Sequence, residues 1–182
     1  MSDTGDKTRT SPRLVAPPPR APVGEKADGE ILVGVISDTH GLLRSQALDA
    51  LRDVDLIIHA GDVGDPAIIA ALHRLAPTFA VRGNVDTDPW ALQLPPTAQV
   101  DVGTRIFYVL HDIAQLGRDP AAAGFAAVVY GHSHKPSIEM RRSVLFLNPG
   151  SAGPKRFNLP VCVARVRVIG PAMRPEILTL DV

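Results

Sequence analysis

The chain has 182 residues, 45% of them hydrophobic, which is enough for one domain with a sizeable core and too few for two ordinary domains. Its 19 basic and 19 acidic residues balance, so the overall charge gives no reason to expect a nucleic acid polymer or an anionic membrane surface as partner. The single cysteine, Cys162, excludes an intrachain disulfide, and no apolar stretch suits a signal core or a membrane span, so we expect a soluble, cytoplasmic protein.

Residues 1–29 are rich in proline and carry few large apolar side chains. Such a segment cannot bury enough apolar surface to offset the entropy of ordering it, so we predict a disordered tail. The alternative is a proline-rich peptide that docks on another domain. The folded domain is then predicted over residues 30–182.

Short apolar runs alternate with helical patterns in the first half of this domain. Strands are predicted at residues 31–36, 56–58 and 78–81. Amphipathic helices are predicted over residues 42–54 and after Asp65 and Pro66, which suit a cap and a first-turn position. This alternation indicates parallel strands with crossover helices, and functional sites in such sheets lie beyond the carboxyl ends of the strands.

The second half lacks helical patterns between its strand-like runs. Residues 100–102 and 105–110 flank Gly103 and Thr104, which predicts a hairpin, and residues 128–130 form a further buried run. Antiparallel strands are predicted at residues 143–147, 161–168 and 177–181. The whole pattern predicts an α/β fold with two mixed β-sheets packed face to face and helices on the outer faces.

Side chains that commonly bind metals follow the predicted strands. They are Asp38, His40, Asp62, Asn84, His111, His132 and His134. A set of carboxylate, carboxamide and imidazole groups without thiolate suits two divalent first-row ions better than a structural zinc cluster. Two such ions about 3.5–4 Å apart can clamp both oxygens of a phosphoryl transfer. The motifs at Asp38, Asp62 and Asn84 are each also explained by an ordinary turn. A surface loop is the alternative for the motif with His132 and His134, although its two histidines already favour a metal. The coincidence of all the motifs predicts a dinuclear site in a phosphate ester hydrolase.

Six short strings carry a family resemblance. They are Ser37-Asp38-Thr39-His40, Gly61-Asp62-Val63, Gly83-Asn84-Val85-Asp86, Leu110-His111, Gly131-His132-Ser133-His134 and Asn148-Pro149-Gly150-Ser151. In this order they resemble the calcineurin-like metallophosphoesterase superfamily. More narrowly, the chain is similar to its small phosphodiesterase subgroup, which also contains the vacuolar-sorting retromer scaffold subunit.

The resemblance implies a role for each ligand. One metal would be held by Asp38, His40, Asp62 and His134, and the second by Asp62, Asn84, His111 and His132. Asp62 would bridge the two ions, and Asp62, Asn84 and His111 would be the catalytic residues. The implied activity is a phosphodiesterase in which a hydroxide bridging the metals attacks phosphorus in line.

The cofactors implied are two divalent ions, with Mn²⁺ expected first and iron, zinc, nickel or cobalt as alternatives. The expected substrate is a small phosphate ester. No nucleic acid polymer and no membrane is expected as a partner, and the sequence leaves a homodimer open.

Four further residues are candidates to support the ligands or to bind substrate: His59, Asp86, Asp112 and Arg156. His59 either orients a ligand or is a buried core histidine, and Asp86 either accepts a hydrogen bond from a ligating histidine or caps a turn. Arg156 either reaches a phosphate oxygen or is only solvated. Three roles are open for Asp112: a hydrogen-bond acceptor near the metals, a weak extra ligand, or a group that repels anionic substrates.

Two features bear on activity: a difference from many larger relatives at Val85, and a link between His111 and His132 that is shorter than is usual in the small subgroup. Val85 stands where many larger relatives carry a histidine, and it cannot protonate a leaving group, so we expect substrates that need little acid assistance. The link between His111 and His132 is short, which predicts a lost helical cover and a shallow pocket. Alternative functions are a phosphomonoesterase or nucleotidase with the same site, or a non-catalytic protein-binding scaffold of the same fold. The complete ligand set favours the enzyme.

Overall fold

The computed structural model describes residues 29–182, so the predicted tail lies outside the described residues except for Gly29. The described part contains ten strands: β1 (Glu30–Ile36), β2 (Leu56–His59), β3 (Thr78–Ala80), β4 (Thr97–Val102), β5 (Arg105–Leu110), β6 (Ala127–Val129), β7 (Ser137–Arg141), β8 (Val144–Asn148), β9 (Cys162–Ile169) and β10 (Ala172–Thr179). It also contains two α-helices, α1 (Ser45–Ala50) and α2 (Pro66–His73). Within residues 29–182, neither helix is long and apolar enough to span a bilayer.

The strands form two five-stranded mixed sheets. The first has the order β10-β9-β1-β2-β3, with β1, β2 and β3 parallel and β9 and β10 antiparallel to their neighbours. The second has the order β4-β5-β6-β8-β7, with β5, β6 and β8 parallel and the edge strands β4 and β7 antiparallel. The predicted α/β sandwich of two mixed sheets is confirmed.

The main core lies between the two sheets. Alternate residues of β1, namely Ile31, Val33 and Val35, are buried in it together with residues of the second sheet. The intervening residues Leu32 and Ile36 belong to a second cluster beneath the helices. Both faces of β1 are therefore covered, which explains why its sequence is a nearly continuous apolar run.

The segment that follows helix α1 packs closely on β1. A Cβ atom at Gly34 would lie 2.8 Å from Leu51 Cδ2, so the absence of a side chain there lets this segment approach the sheet. The helix covers Ser45–Ala50, which is shorter than the predicted range of residues 42–54. Its expected apolar positions Leu51 and Val54 are nevertheless buried, because the chain after the helix continues along the same cluster.

The second sheet has a different outer cover. An aromatic cluster on this face includes Tyr108, Phe125 and Phe146, with Tyr108 and Phe125 stacked at 4.8 Å between ring centroids. The segment between β5 and β6 contains one short 3-10 turn (Ile113–Gln115) and no α-helix. The α-helices of the described residues thus lie on the first sheet, and the expectation of a lost helical cover after His111 agrees with this arrangement.

Three strand predictions need correction. Strand β7 (Ser137–Arg141) was not predicted, because its residues are mostly exposed and its pattern is weak. Strand β8 was predicted as antiparallel, but it is parallel to β6 and antiparallel only to β7. Strand β10 begins at Ala172 rather than at residue 177, because it pairs with β9 along its whole length.

Candidate metal centre

The loops that follow the parallel strands of both sheets meet at one edge of the sandwich. One ligand atom each from Asp38, His40 and His134 lies within 4.8 Å of the others. Nε2 of His134 is 3.3 Å from Asp38 Oδ1 and 3.2 Å from His40 Nε2. Asp38 and His40 follow β1 of the first sheet, whereas His134 follows β6 of the second, so this group joins the two sheets.

A second group lies beside the first and shares Asp38 with it. Asp38, Asp62 and His111 also offer ligand atoms within 4.8 Å of one another. Asn84 Oδ1 extends this group, since it lies 3.1 Å from His111 Nε2 and 2.9 Å from His132 Nδ1. All seven predicted ligands are thus brought together.

Asp62 stands between the two groups. Its Oδ2 is 3.2 Å from His111 Nε2 and 3.8 Å from His40 Nε2. Its Oδ1 accepts the backbone N–H of Val85 at 3.1 Å. This position between ligands of both groups is the one expected of a bridging carboxylate.

The contacts of Asp62 and His111 shift the pKa values of both side chains. Burial alone would raise the pKa of Asp62, but hydrogen bonds from His111 and from the Val85 N–H outweigh burial and lower that pKa. Burial alone would lower the pKa of His111, and its contacts with Asp62 and the Ala60 carbonyl oxygen raise it instead. His111 Nδ1 lies 2.8 Å from that carbonyl oxygen, which leaves Nε2 facing the centre.

Asp38 provides a test of whether a metal fits. Its side chain is fully buried, and Oδ1 has no hydrogen-bond partner among the described residues. Burial raises the pKa of Asp38 to about 6. A buried carboxylate oxygen without a donor is costly, and a divalent cation held together with His40 and His134 would satisfy it.

Five of the seven ligands adopt a left-handed backbone conformation. Their φ angles are 54° at Asp38, 46° at His40, 55° at Asp62, 67° at His132 and 57° at His134. Such angles are uncommon outside glycine, cost about 1–3 kcal/mol each and cluster at functional sites. Here they are held by tertiary hydrogen bonds, among them Asp38 N–H to Gly61 O at 3.0 Å and His40 N–H to Asp62 O at 2.9 Å.

Glycines allow the ligand loops to touch. A Cβ atom at Gly83 would lie 1.9 Å from Asp62 Oδ1, and one at Gly131 would lie 2.0 Å from Ser37 Oγ and 2.7 Å from Asp38 Oδ2. No side chain fits at either position. Packing therefore requires the glycine that precedes Asn84 and the one that precedes His132, although neither has a positive φ.

His59 supports the centre through Thr39 rather than through a ligand side chain. Its Nδ1 accepts the Gly61 N–H at 3.2 Å, so Nε2 carries the proton and donates to Thr39 Oγ1 at 2.9 Å. Thr39 Oγ1 in turn donates to the Val63 carbonyl oxygen at 2.9 Å. Burial lowers the pKa of His59 to about 4, which keeps the ring neutral.

Asp86 has a different role from the hydrogen bond to a ligating histidine that the sequence suggested. Its carboxylate is buried and accepts three backbone N–H groups, from Val63 at 3.0 Å, Gly64 at 2.9 Å and Gly83 at 2.9 Å. It thereby ties the loop after β2 to the loop after β3. These are the loops that carry Asp62 and Asn84.

The other two candidates are Asp112 and Arg156. Asp112 Oδ1 accepts the Ala114 N–H at 2.9 Å and caps the short turn after His111. Arg156 is exposed at the rim of the centre. Burial is the main cause that lowers the pKa values of His40 and His134, the latter to about 4, and the positive charge of Arg156 lowers both further.

Two supporting residues were assigned no role from the sequence. Thr39 links His59 to the Asp62–Val63 backbone, and its only signal is its place between two ligands. Asn148 belongs to one of the six strings that carry the family resemblance, Asn148-Pro149-Gly150-Ser151. Its Nδ2 donates to Gly131 O at 2.8 Å and to Ser133 Oγ at 3.0 Å, which holds the loop that carries His132 and His134.

Comparisons with known proteins agree with this site. Residues 31–169 match the family model described as the calcineurin-like phosphoesterase superfamily domain. A probable metallophosphoesterase from Methanothermobacter thermautotrophicus is 33% identical over 160 residues, which cover 81% of this chain and 92% of the relative. A phosphodiesterase from Methanocaldococcus jannaschii is 27% identical over 136 residues, covering 65% of this chain and 82% of that protein.

The fold also matches a solved structure of another kind of protein. Vps29 from Chaetomium thermophilum superposes with a TM-score of 0.68 at 17% identity, covering 83% of this chain and all of that chain (100%). At this identity the likeness shows the fold alone. The matched family model and the similar relative from Methanothermobacter thermautotrophicus show that this chain belongs to the calcineurin-like phosphoesterase superfamily.

Proposed function

We propose that this protein is a dinuclear metal-dependent phosphodiesterase acting on small phosphate esters in the cytoplasm, with Mn²⁺ as the first candidate metal. The observation that carries the proposal is the position of Asp62 Oδ2, which lies between His111 Nε2 at 3.2 Å and His40 Nε2 at 3.8 Å. Asp62, a member of the second group, thereby also lies near a ligand of the first group. The complete set of seven ligand side chains supports the same conclusion.

The proposed roles follow the two groups. Asp38, His40 and His134 would hold one ion, His111, Asn84 and His132 would hold the other, and Asp62 would contact both. When bound, such a pair of ions supplies water activation near neutral pH and neutralises charge on the phosphoryl oxygens. The Ala60 carbonyl oxygen fixes the His111 ring, and Asp86 fixes the two loops that present Asp62 and Asn84.

The surroundings of the centre favour a diester over a monoester. Val85 is 48% exposed and presents an apolar side chain beside Asn84, where it offers no proton to a leaving group. Arg156 is the cationic side chain whose charge reaches His40 and His134. A diester carries one negative charge and needs less positive charge around it than a monoester dianion. Diesters with good leaving groups are the expected substrates.

The test is turnover of a panel of phosphodiesters and phosphomonoesters by protein reconstituted separately with Mn²⁺, Zn²⁺, Ni²⁺, Co²⁺ and Fe²⁺. Asp62→Asn and His111→Ala serve as site variants, and His73→Ala serves as the control, because His73 lies on the exposed side of α2. We expect diester hydrolysis that both site variants lose and the control keeps. Activity that survives Asp62→Asn would show that it arises elsewhere.

A non-catalytic scaffold is the second candidate function, because the chain shares its fold with Vps29. The intact ligand set argues against it, since a docking surface does not need seven converging ligands. A fully metallated preparation that hydrolyses no phosphate ester in the panel would favour the scaffold. A preference for monoesters would instead retain the enzyme and change its substrate class to that of a phosphatase or nucleotidase.

A further inference from the structure

Strand β7 (Ser137–Arg141) is the edge strand of the second sheet, and it is exposed on both faces. One of its edges pairs with β8, and among residues 29–182 no strand pairs with the other edge. Exposed edge strands offer unpaired backbone groups to another chain.

The apolar side chains of β7 lie on the face that is buried elsewhere in this sheet. Ile138 is opposite Leu147 and Met140 is opposite Leu145 in the β7–β8 register. Both leucines are fully buried between the sheets, whereas Ile138 is 42% and Met140 is 59% exposed. The first sheet reaches β7 through contacts with β10 but covers it only in part, which leaves an apolar strip at the open side of the sandwich.

The other face of β7 carries two opposite charges. Glu139 and Arg141 form an ion pair at 2.6 Å, and their side chains remain 48% and 52% exposed. The Arg141 guanidinium also lies 4.6 Å from the centre of the Phe146 ring. Both charges are therefore held in place on the outer face while still reaching solvent.

These features together select one partner, a second copy of this chain. We propose that β7 pairs antiparallel with β7 of a second copy about a two-fold axis through Met140. The second sheet of one copy would then join the second sheet of the other copy in one continuous sheet of ten strands. The pairing does not depend on the proposed catalytic function.

Parity and charge determine the register. Side chains alternate between the two faces of a strand, and in a continuous sheet two paired residues must point to the same face. In a pair of identical antiparallel strands, this condition holds only when the two-fold axis passes through a residue and not between two residues. An axis at Glu139 would place two glutamates opposite each other, and an axis at Arg141 would do the same with two arginines, which is unfavourable. An axis at Met140 instead pairs Glu139 of each copy with Arg141 of the other and joins the apolar strips.

Charge reversal distinguishes this pairing from other modes of association. Glu139→Arg alone places two arginines opposite each other, and Arg141→Glu alone places two glutamates opposite each other. A mixture of these two variants has opposite charges at both pairs, as does the double variant Glu139→Arg/Arg141→Glu. The charges are exposed, so the fold of each variant should be retained, which circular dichroism checks.

The experiment is analytical ultracentrifugation of the full-length metallated protein over a wide range of concentrations. We expect the wild type to dimerise reversibly and each single variant to associate at least about tenfold more weakly. The mixture and the double variant should recover the affinity of the wild type. Leu92→Lys, at a side chain 63% exposed on another surface, should leave association unchanged. A wild type that stays monomeric, single variants that dimerise like the wild type, or a mixture that does not recover would each overturn the proposal.

Discussion

His40 Nε2 lies 3.2 Å from His134 Nε2, although the two residues follow strands of different sheets. At this distance two imidazole nitrogens cannot both carry a proton that points at the other. Burial lowers the pKa values of both rings, that of His134 to about 4, so both are neutral near pH 7. Two neutral nitrogens that face each other beside Asp38 are suited to share a cation.

Replacing Asp38 by asparagine should have opposite effects on stability with and without metal. In the presence of chelator, Asp38→Asn removes a buried carboxylate whose Oδ1 has no hydrogen-bond partner among the described residues, so the free energy of unfolding should rise by about 1–3 kcal/mol. With saturating Mn²⁺, the wild type should be the more stable, since ligand binding adds about 2.7 kcal/mol at 100 times Kd. Thermal unfolding of both proteins in both conditions measures this crossover. Equal responses to Mn²⁺ would show that Asp38 holds no metal.

Gly83→Ala should remove the bridging carboxylate from its position. The added Cβ would lie 1.9 Å from Asp62 Oδ1 and 2.2 Å from Asp62 N, so the loop must move. We expect metal affinity to fall at least about tenfold, as when other supports of metal ligands are lost. Isothermal titration with Mn²⁺ measures the change. Gly117→Ala is the control, because neither Gly83 nor Gly117 has a positive φ and a Cβ at Gly117 would meet only the Gln115 carbonyl oxygen, at 3.9 Å. Equal losses in the two variants would contradict the steric argument.

Asp86→Asn should destabilise the protein by about 1–3 kcal/mol. The carboxylate accepts three backbone N–H groups from two loops, and an amide replaces one of its oxygens with a donor that faces those N–H groups. Urea unfolding measures the loss. The control is Asp65→Asn, which should change little, because Asp65 caps α2 through one bond to the Ala67 N–H and asparagine caps helices equally well. An Asp86→Asn protein as stable as this control would exclude the proposed connection between the loops.

Acid should destabilise the fold partly through His59. Its pKa falls from 6.5 to about 4 on burial, so its contribution to stability is complete above pH 6.5 and is lost as the pH falls towards 4. That contribution is on the order of 3 kcal/mol. The change in unfolding free energy between pH 7 and about pH 4.5, measured in chelator, should be smaller in His59→Gln than in the wild type. His73→Gln, at an exposed site, serves as the control and should lose as much unfolding free energy as the wild type. A His59→Gln protein that also loses as much as the wild type over this pH range would contradict this account.

The sequence alone determined the kinds of ligand and their order along the chain. Asp38, Asp62, Asn84 and His132 each follow a short apolar strand, and the carboxyl ends of parallel strands meet at one edge, so local pattern was sufficient to bring them together. The same local signals predicted β1, β2 and the cap of α2 at Asp65. These features depend on neighbours in sequence, and such patterns can be recognised before the chain is folded.

Only the tertiary structure decided what the supporting residues contact and which strand forms the edge of the second sheet. Asp86 accepts the N–H groups of Val63 and Gly64, and His59 contacts Thr39. These partners are distant in sequence, so nothing near Asp86 or His59 indicates that one joins two loops and the other holds Thr39. Strand β7 exists because β8 offers it a partner, and its weak pattern did not predict it. Hydrogen bonds between distant segments also hold the ligands in left-handed conformations that their own residue types disfavour.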